Sequence, residues 1–145
     1  MPYIKVWIHL VWSTKNRYPF LTKEIRQTVF EHIRQNAKVK DIYLDCVNGF
    51  SDHIHCLVSL SNEQTISKLL QLIKGESSFW INKQKLSPSK FQWQEEYFAV
   101  SVSHSQVQKV REYIYDQENH HQKKNFQQEY EEFIKNYGFV EIAED

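Results

Sequence analysis

The stretch Gly49-Phe-Ser-Asp-His-Ile-His-Cys-Leu-Val-Ser-Leu60 decides how the rest of the chain is read. Gly49 to Asp52 has turn composition, and Ile54 to Leu60 is a β-rich apolar run, so the pattern predicts a turn leading into a strand. Successive side chains of a strand point to opposite faces. His53 and His55 therefore share one face, and Ile54, Cys56 and Val58 share the other. Ile54 faces a core while the two imidazoles stand about 7 Å apart along the strand, within reach of one metal ion. Two surface histidines at a strand entry would have the same spacing, so the pair gains meaning only from the rest of the chain.

Upstream, Asp41 to Val47 reads as a strand, and Asn48-Gly49 begins a turn that makes a hairpin with the histidine strand. Further upstream, Ile4, Val6, Ile8, Leu10 and Trp12 alternate with Tyr3, Lys5, Trp7, His9 and Val11, which predicts a first strand. His9 falls on its second face, where a structural histidine and a neighbour of the metal pocket are both open. Ser13 to Leu21 is a loop broken by Pro19. Its Lys15, Arg17 and Tyr18 combine charge with an aromatic surface, the mix that holds single-stranded nucleic acid. Thr22 is placed to cap a helix with the stripe Ile25, Val29 and Ile33.

Downstream, Ser61 and Gln64 have capping-box spacing before a helix marked by Ile66, Leu69, Leu70 and Ile73. Ser87-Pro88-Ser89 breaks the chain. Tyr97 to Ser103 alternates as a fourth strand. Ser105 to His121 reads as one helix, with a capping box at Ser105 and Gln108 and a stripe at Val107, Val110 and Ile114. Tyr113 and Gln117, four residues apart, stack on one of its faces, whereas Tyr115 diverges by about 200°. His120 and His121 lie near that same face as alternative ligands to Gln117. A last helix carries Phe126, Tyr130, Phe133 and Tyr137. The first six elements follow the order βαββαβ, which predicts an α+β, ferredoxin-like antiparallel sheet with an extra C-terminal helix.

His53-Ile54-His55 on a strand, followed by Tyr113-Ile-Tyr-Asp-Gln117 on a later helix, resembles the single-tyrosine HUH transposases of the smallest bacterial insertion sequences. The REP-associated tyrosine transposases belong to the same superfamily. Ile8-His-Leu-Val-Trp-Ser-Thr-Lys-Asn-Arg-Tyr-Pro-Phe-Leu21 is similar to the family's opening strand and loop. Ser67-Lys-Leu-Leu-Gln-Leu-Ile-Lys-Gly-Glu-Ser-Ser78 is similar to its middle helix. The resemblance implies a transposase whose Tyr113 attacks single-stranded DNA, becomes linked to the 5′ phosphate and frees a 3′ hydroxyl. It implies that His53, His55 and Gln117 bind Mg²⁺ or Mn²⁺, and that the protein is a homodimer recognising DNA hairpins at element ends. In some family members the tyrosine helix serves the partner's histidine pair. Ser101 to Gln106, which leads into the Tyr113 helix, contains no glycine, and that argues against a freely swinging helix.

The bounds fit this picture. At 145 residues the chain is the size of a single domain, here 1–145. Its 4 Trp, 8 Tyr and 9 Phe against 3 Gly and 3 Pro argue for a folded core and against disorder. No charge-free run is long enough to cross a membrane, and no signal peptide is visible. Cys46 and Cys56 form no metal or redox motif with each other, and a reducing cytoplasm is the expected setting. A net charge of +0 argues against a sequence-blind duplex binder but not against a local basic groove. Lys15, Arg17, Tyr18 and Lys74 are the candidate DNA contacts. Three competing readings remain: a nicking and joining enzyme, a hairpin-binding protein that no longer cleaves, and a metalloprotein unrelated to DNA. The second predicts loss of the tyrosine or a histidine, and neither is lost.

Overall fold

A computed structural model describes residues 2–137. Its elements are β1 (Val6–Ser13), α1 (Lys23–Val39), β2 (Tyr43–Gly49), β3 (His53–Leu60), α2 (Ile66–Lys83), β4 (Phe98–Val102), α3 (Val107–Tyr115), α4 (Gln117–Lys123) and α5 (Phe126–Tyr137). The strands form one antiparallel sheet in the order β2-β3-β1-β4. The first six of these elements are the expected βαββαβ arrangement, and α3, α4 and α5 follow it.

The period-2 pattern of the strands sets the two faces of the sheet. Ile8, Leu10 and Trp12 of β1 join Ile54, Cys56 and Val58 of β3 in the main core, under Val29, Phe30 and Ile33 of α1 and Leu69, Leu70 and Ile73 of α2. Burying each such side chain contributes about 1.5–3 kcal/mol, so this face dominates the stability. On the opposite face Trp7, Cys46 and Leu57 pack with Val107 and Ile114 of α3, which fixes that helix beside the histidines. Val11 pairs with His55 and Ser13 with His53 across β1 and β3, so the histidine pair lies in the middle of the sheet.

Several local expectations need correction. β1 starts at Val6, and Tyr3 and Ile4, 97% and 39% exposed, lie outside it. β2 runs on through Gly49, and the turn is Phe50 to Asp52. A Cβ on Gly49 would lie 2.2 Å from the His53 carbonyl oxygen, so only glycine lets the two strands approach this closely. Ser61 and Gln64 do make one capping-type bond, from the Ser61 N–H to the Gln64 amide oxygen. The cap of α2, however, is Thr65, whose hydroxyl accepts from the Lys68 N–H. The box expected at Ser105 and Gln108 does not form, because His104–Gln106 is a 3-10 turn and α3 begins only at Val107.

The single helix expected over Ser105 to His121 is two helices. The Asn48 amide donates to the carbonyls of Ile114 and Tyr115, and Asp116 leaves helical geometry at φ −95°, ψ 21°. Capping those carbonyls from β2 ends α3 and lets the chain turn into α4. The side chains of His120, Phe133 and Tyr137 lie outside the described residues.

Candidate active site

The site is built where β3, β1, α3, α4 and α5 meet. His53 and His55 are both 0% exposed. His53 Nδ1 lies 2.9 Å from Asp52 Oδ1, and its Nε2 lies 3.0 Å from Gln117 Oε1. Gln117 is itself 0% exposed, and its Nε2 donates to the Tyr113 carbonyl at 3.2 Å, which aims Oε1 at the histidines. The kink after α3 therefore preserves the expected partnership of Tyr113 and Gln117 by a route different from a continuous helix.

His9, left open between two roles, faces this pocket. Its Nε2 lies 2.9 Å from His55 Nδ1, and the rings stack with centroids 5.1 Å apart. Burial lowers the His9 pKa to about 3 and the His55 pKa to about 4, so both rings are neutral at pH 7. His53 Nδ1 faces the Asp52 carboxylate and its Nε2 faces the Gln117 amide oxygen, so Asp52 is placed to orient the ring toward Gln117.

Glu129 is the residue that sequence reading missed. It is 1% exposed and reaches the site from α5. Its carboxylate lies 3.0 Å from His55 Nε2, 2.9 Å from His121 Nε2 and 3.5 Å from His53 Nε2. The Tyr113 hydroxyl donates to it. Burial alone would raise the Glu129 pKa, but the interactions with His121 and His55 outweigh it and hold the carboxyl below the usual range. The Tyr113 hydroxyl is pushed well above its ordinary range, first by burial and then by the Glu129 charge. The only sequence signal for Glu129 was its place on the apolar stripe of α5, between Phe126 and Tyr130.

Ligand atoms of His53, His55 and Glu129 lie within 4.8 Å of one another. Donors around one octahedral cation at about 2.1 Å sit roughly 3–4 Å apart, so the set fits. Imidazole, amide and carboxylate donors together suit a divalent ion of Mg²⁺ or Mn²⁺ character. His121, an alternative to Gln117, instead hydrogen-bonds to it, with Nε2 3.0 Å from Oε1. Tyr115 is 57% exposed, so of the two tyrosines only Tyr113 points its hydroxyl into the site.

The four candidate DNA contacts are divided between two surfaces. Lys15 and Lys74 line a groove of about 470 Å³ with Lys90, Phe79 and Trp93. The Lys74 ammonium donates to the carbonyls of Gln94 at 2.6 Å and Glu95 at 3.2 Å, and burial lowers its pKa. Arg17 lies in a second groove of about 360 Å³, where it donates to Gln127 and covers the rings of Phe126 and Tyr130. Tyr18 is 56% exposed and packs on Phe20.

Residues 3–117 match the family described as "Transposase IS200 like". The chain is 25% identical over 115 residues to the ISDra2 transposase TnpA of Deinococcus radiodurans, covering 75% of this chain and 81% of that protein. Its fold matches a crystal structure of a candidate transposase from Deinococcus radiodurans R1, with TM-score 0.62, 23% identity and coverage of 80% of this chain and 93% of that one. It also matches a REP-associated tyrosine transposase bound to a REP hairpin, with TM-score 0.59, 17% identity and coverage of 83% and 72%. Among the described residues no helix is long and apolar enough to cross a membrane.

Proposed function

The chain belongs to the IS200-like transposase family and is a transposase, and on that premise we propose that it cuts and rejoins single-stranded DNA through Tyr113. The observation that carries this is the convergence of one tyrosine hydroxyl, two buried imidazoles and one oriented amide oxygen on a single point.

Tyr113 Oη attacks a backbone phosphorus in line with the 3′ oxygen. An O–P bond to tyrosine forms, the P–O3′ bond breaks, and the tyrosine proton ends on the freed 3′ hydroxyl. The phosphotyrosine keeps the bond energy, so a 3′ hydroxyl from another strand reverses the step and joins the ends. His53, His55 and Gln117 would hold Mg²⁺ or Mn²⁺. Such an ion supplies charge neutralisation at the phosphate and orients it for in-line attack. For His55 to offer Nε2, its proton must reside on Nδ1, where His9 Nε2 accepts it. Asp52 fixes the tautomer of His53 in the same way. His9 and Asp52 are thus positioning residues.

The substrate is single-stranded DNA carrying hairpins at the element ends, and the working form is a homodimer. Support for the DNA partner comes from the family and from the hairpin bound to the REP-associated relative. The test is a denaturing-gel assay for a covalent protein–DNA adduct. It uses hairpin oligonucleotides from the gene's own flanks, with Mg²⁺ or Mn²⁺ and with a chelator. A metal-dependent adduct mapping to Tyr113 is expected. Tight hairpin binding with no adduct would replace this reading with that of a non-cleaving binding protein.

A further inference from the structure

We infer that α5 is a lid that holds the site closed in the absence of DNA, with Glu129 occupying the place of the scissile phosphate. The inference rests on the function proposed above. It concerns a helix that lies beyond residues 3–117, the part matched by the family.

A DNA strand must bring a phosphorus atom to Tyr113 Oη and to the histidine pair. In this arrangement it has no route, because His53, His55 and Gln117 are all 0% exposed. The cover is α5. Phe126 stacks on His53 with centroids 4.4 Å apart and planes inclined by 13°. One turn later Glu129 takes the hydrogen bond of Tyr113 and lies 3.0 Å from His55 Nε2 and 2.9 Å from His121 Nε2. A carboxylate and a phosphodiester are both monoanions that present two acceptor oxygens. Glu129 therefore stands beside the tyrosine and the histidines where the substrate would meet them, and its charge occupies the position that the substrate's charge needs.

Two further observations point to a device that opens. First, α5 separates two grooves. One, of about 360 Å³, is lined by Arg17, Tyr97, Phe98, Phe126 and Tyr130. The other, of about 660 Å³, includes His9, Lys109, Tyr113 and Glu129. Lifting α5 about the Lys124-Asn125 link joins them into one trough with Tyr113 inside. Second, α5 is held by a clasp that DNA is suited to release. Arg17 donates to Gln127 and covers Phe126 and Tyr130, while Tyr130 packs edge-on against Phe98 with centroids 5.0 Å apart. Asn16 and Arg17 both hold φ at 56°, a conformation that costs free energy in residues other than glycine and persists only where contacts impose it. A strand phosphate competes for the same guanidinium. The exposed carboxylates Glu131 and Glu132 of α5 are repelled as the strand enters.

Amide hydrogen exchange and adduct formation together test the lid. Exchange is followed over residues 126–137 in the wild-type chain, in Arg17→Ala and in Tyr130→Ala, with the β1 and β3 amides as the folding control. The same amides are followed in Tyr113→Phe with and without a hairpin oligonucleotide. We expect tenfold or greater loss of α5 protection in both clasp variants and on adding DNA, while the strands stay protected. Tyr130→Ala should raise the initial adduct rate severalfold. The lid is overturned if the clasp variants leave α5 as protected as in the wild type, or if DNA increases its protection. It is also overturned if Glu129→Gln abolishes the adduct, because Glu129 then belongs to the reacting site. Opening of α5 with no adduct from any chain would sink the cleavage reading and leave the lid standing.

Discussion

Gly49→Ala is a substitution of one methyl group that should reach the active site through the backbone. The added Cβ would lie 2.2 Å from the His53 carbonyl oxygen and 2.9 Å from the Ile54 Cα, against 3.4 Å or more in ordinary contact. Relief needs a shift of roughly 1.2 Å, the difference between 3.4 and 2.2 Å. The crowding atoms are backbone, so no side chain can swing away, and the first residue to move is His53. Overpacking of this kind costs about 1–3 kcal/mol, which corresponds to a fall of roughly 3–10 °C in Tm for a chain of this size. A displacement near 1 Å of a group that orients the reaction lowers the rate by about 10²-fold. Thermal unfolding followed by circular dichroism reads the first effect, and the single-turnover rate of adduct formation reads the second. A Gly49→Ala protein with wild-type Tm and wild-type rate would refute the close approach and the placement of His53 that depends on it.

Tyr113→Phe should abolish the covalent adduct and leave hairpin binding within about twofold in a gel-shift titration, whereas Tyr115→Phe should keep the adduct; the reverse pattern would move the nucleophile. His55→Ala should eliminate metal-dependent cleavage, and undiminished cleavage would remove His55 from the ligand set. His9→Phe fills similar space without accepting the His55 proton, so it should lower metal affinity by about 10-fold or more in a calorimetric titration with Mn²⁺; unchanged affinity would leave His9 a packing residue. Stability in chelator should also depend on pH. His9 at about 3 and His55 at about 4 lie below the ordinary histidine value of 6.5. As the pH falls below about 6.5 the unfolded chain binds protons that the folded chain refuses, so stability present above that value is lost toward pH 4. Melts at pH 7 and pH 5 with equal Tm would show that these rings are not buried neutral.

Strand alternation was legible without coordinates because the backbone itself enforces it. The two-residue period put His53 and His55 on one face and Ile54, Cys56 and Val58 in the core, as found. Helical spacing likewise associated Tyr113 with Gln117, although their association survives through a kink that spacing did not foresee. That kink depends on Asn48, which is 66 residues from Ile114 along the chain, and no local pattern encodes such a bond. The Arg111 guanidinium holds α3 to β2 in the same nonlocal way, through both oxygens of Asp45 at 2.6 and 2.9 Å. Asp45 is available because β2 slips register between Leu44 and Cys46.

What the sequence determined by itself was the element order, the face on which the imidazoles lie and the tyrosine on the later helix, since each follows from short-range stereochemistry and side-chain type. Tertiary structure decided which groups complete the site: His9 from the neighbouring strand and Glu129 from the last helix. These contacts depend on how elements pack in three dimensions. A buried carboxylate such as Glu129 reads in one dimension as one more charge on an amphipathic helix.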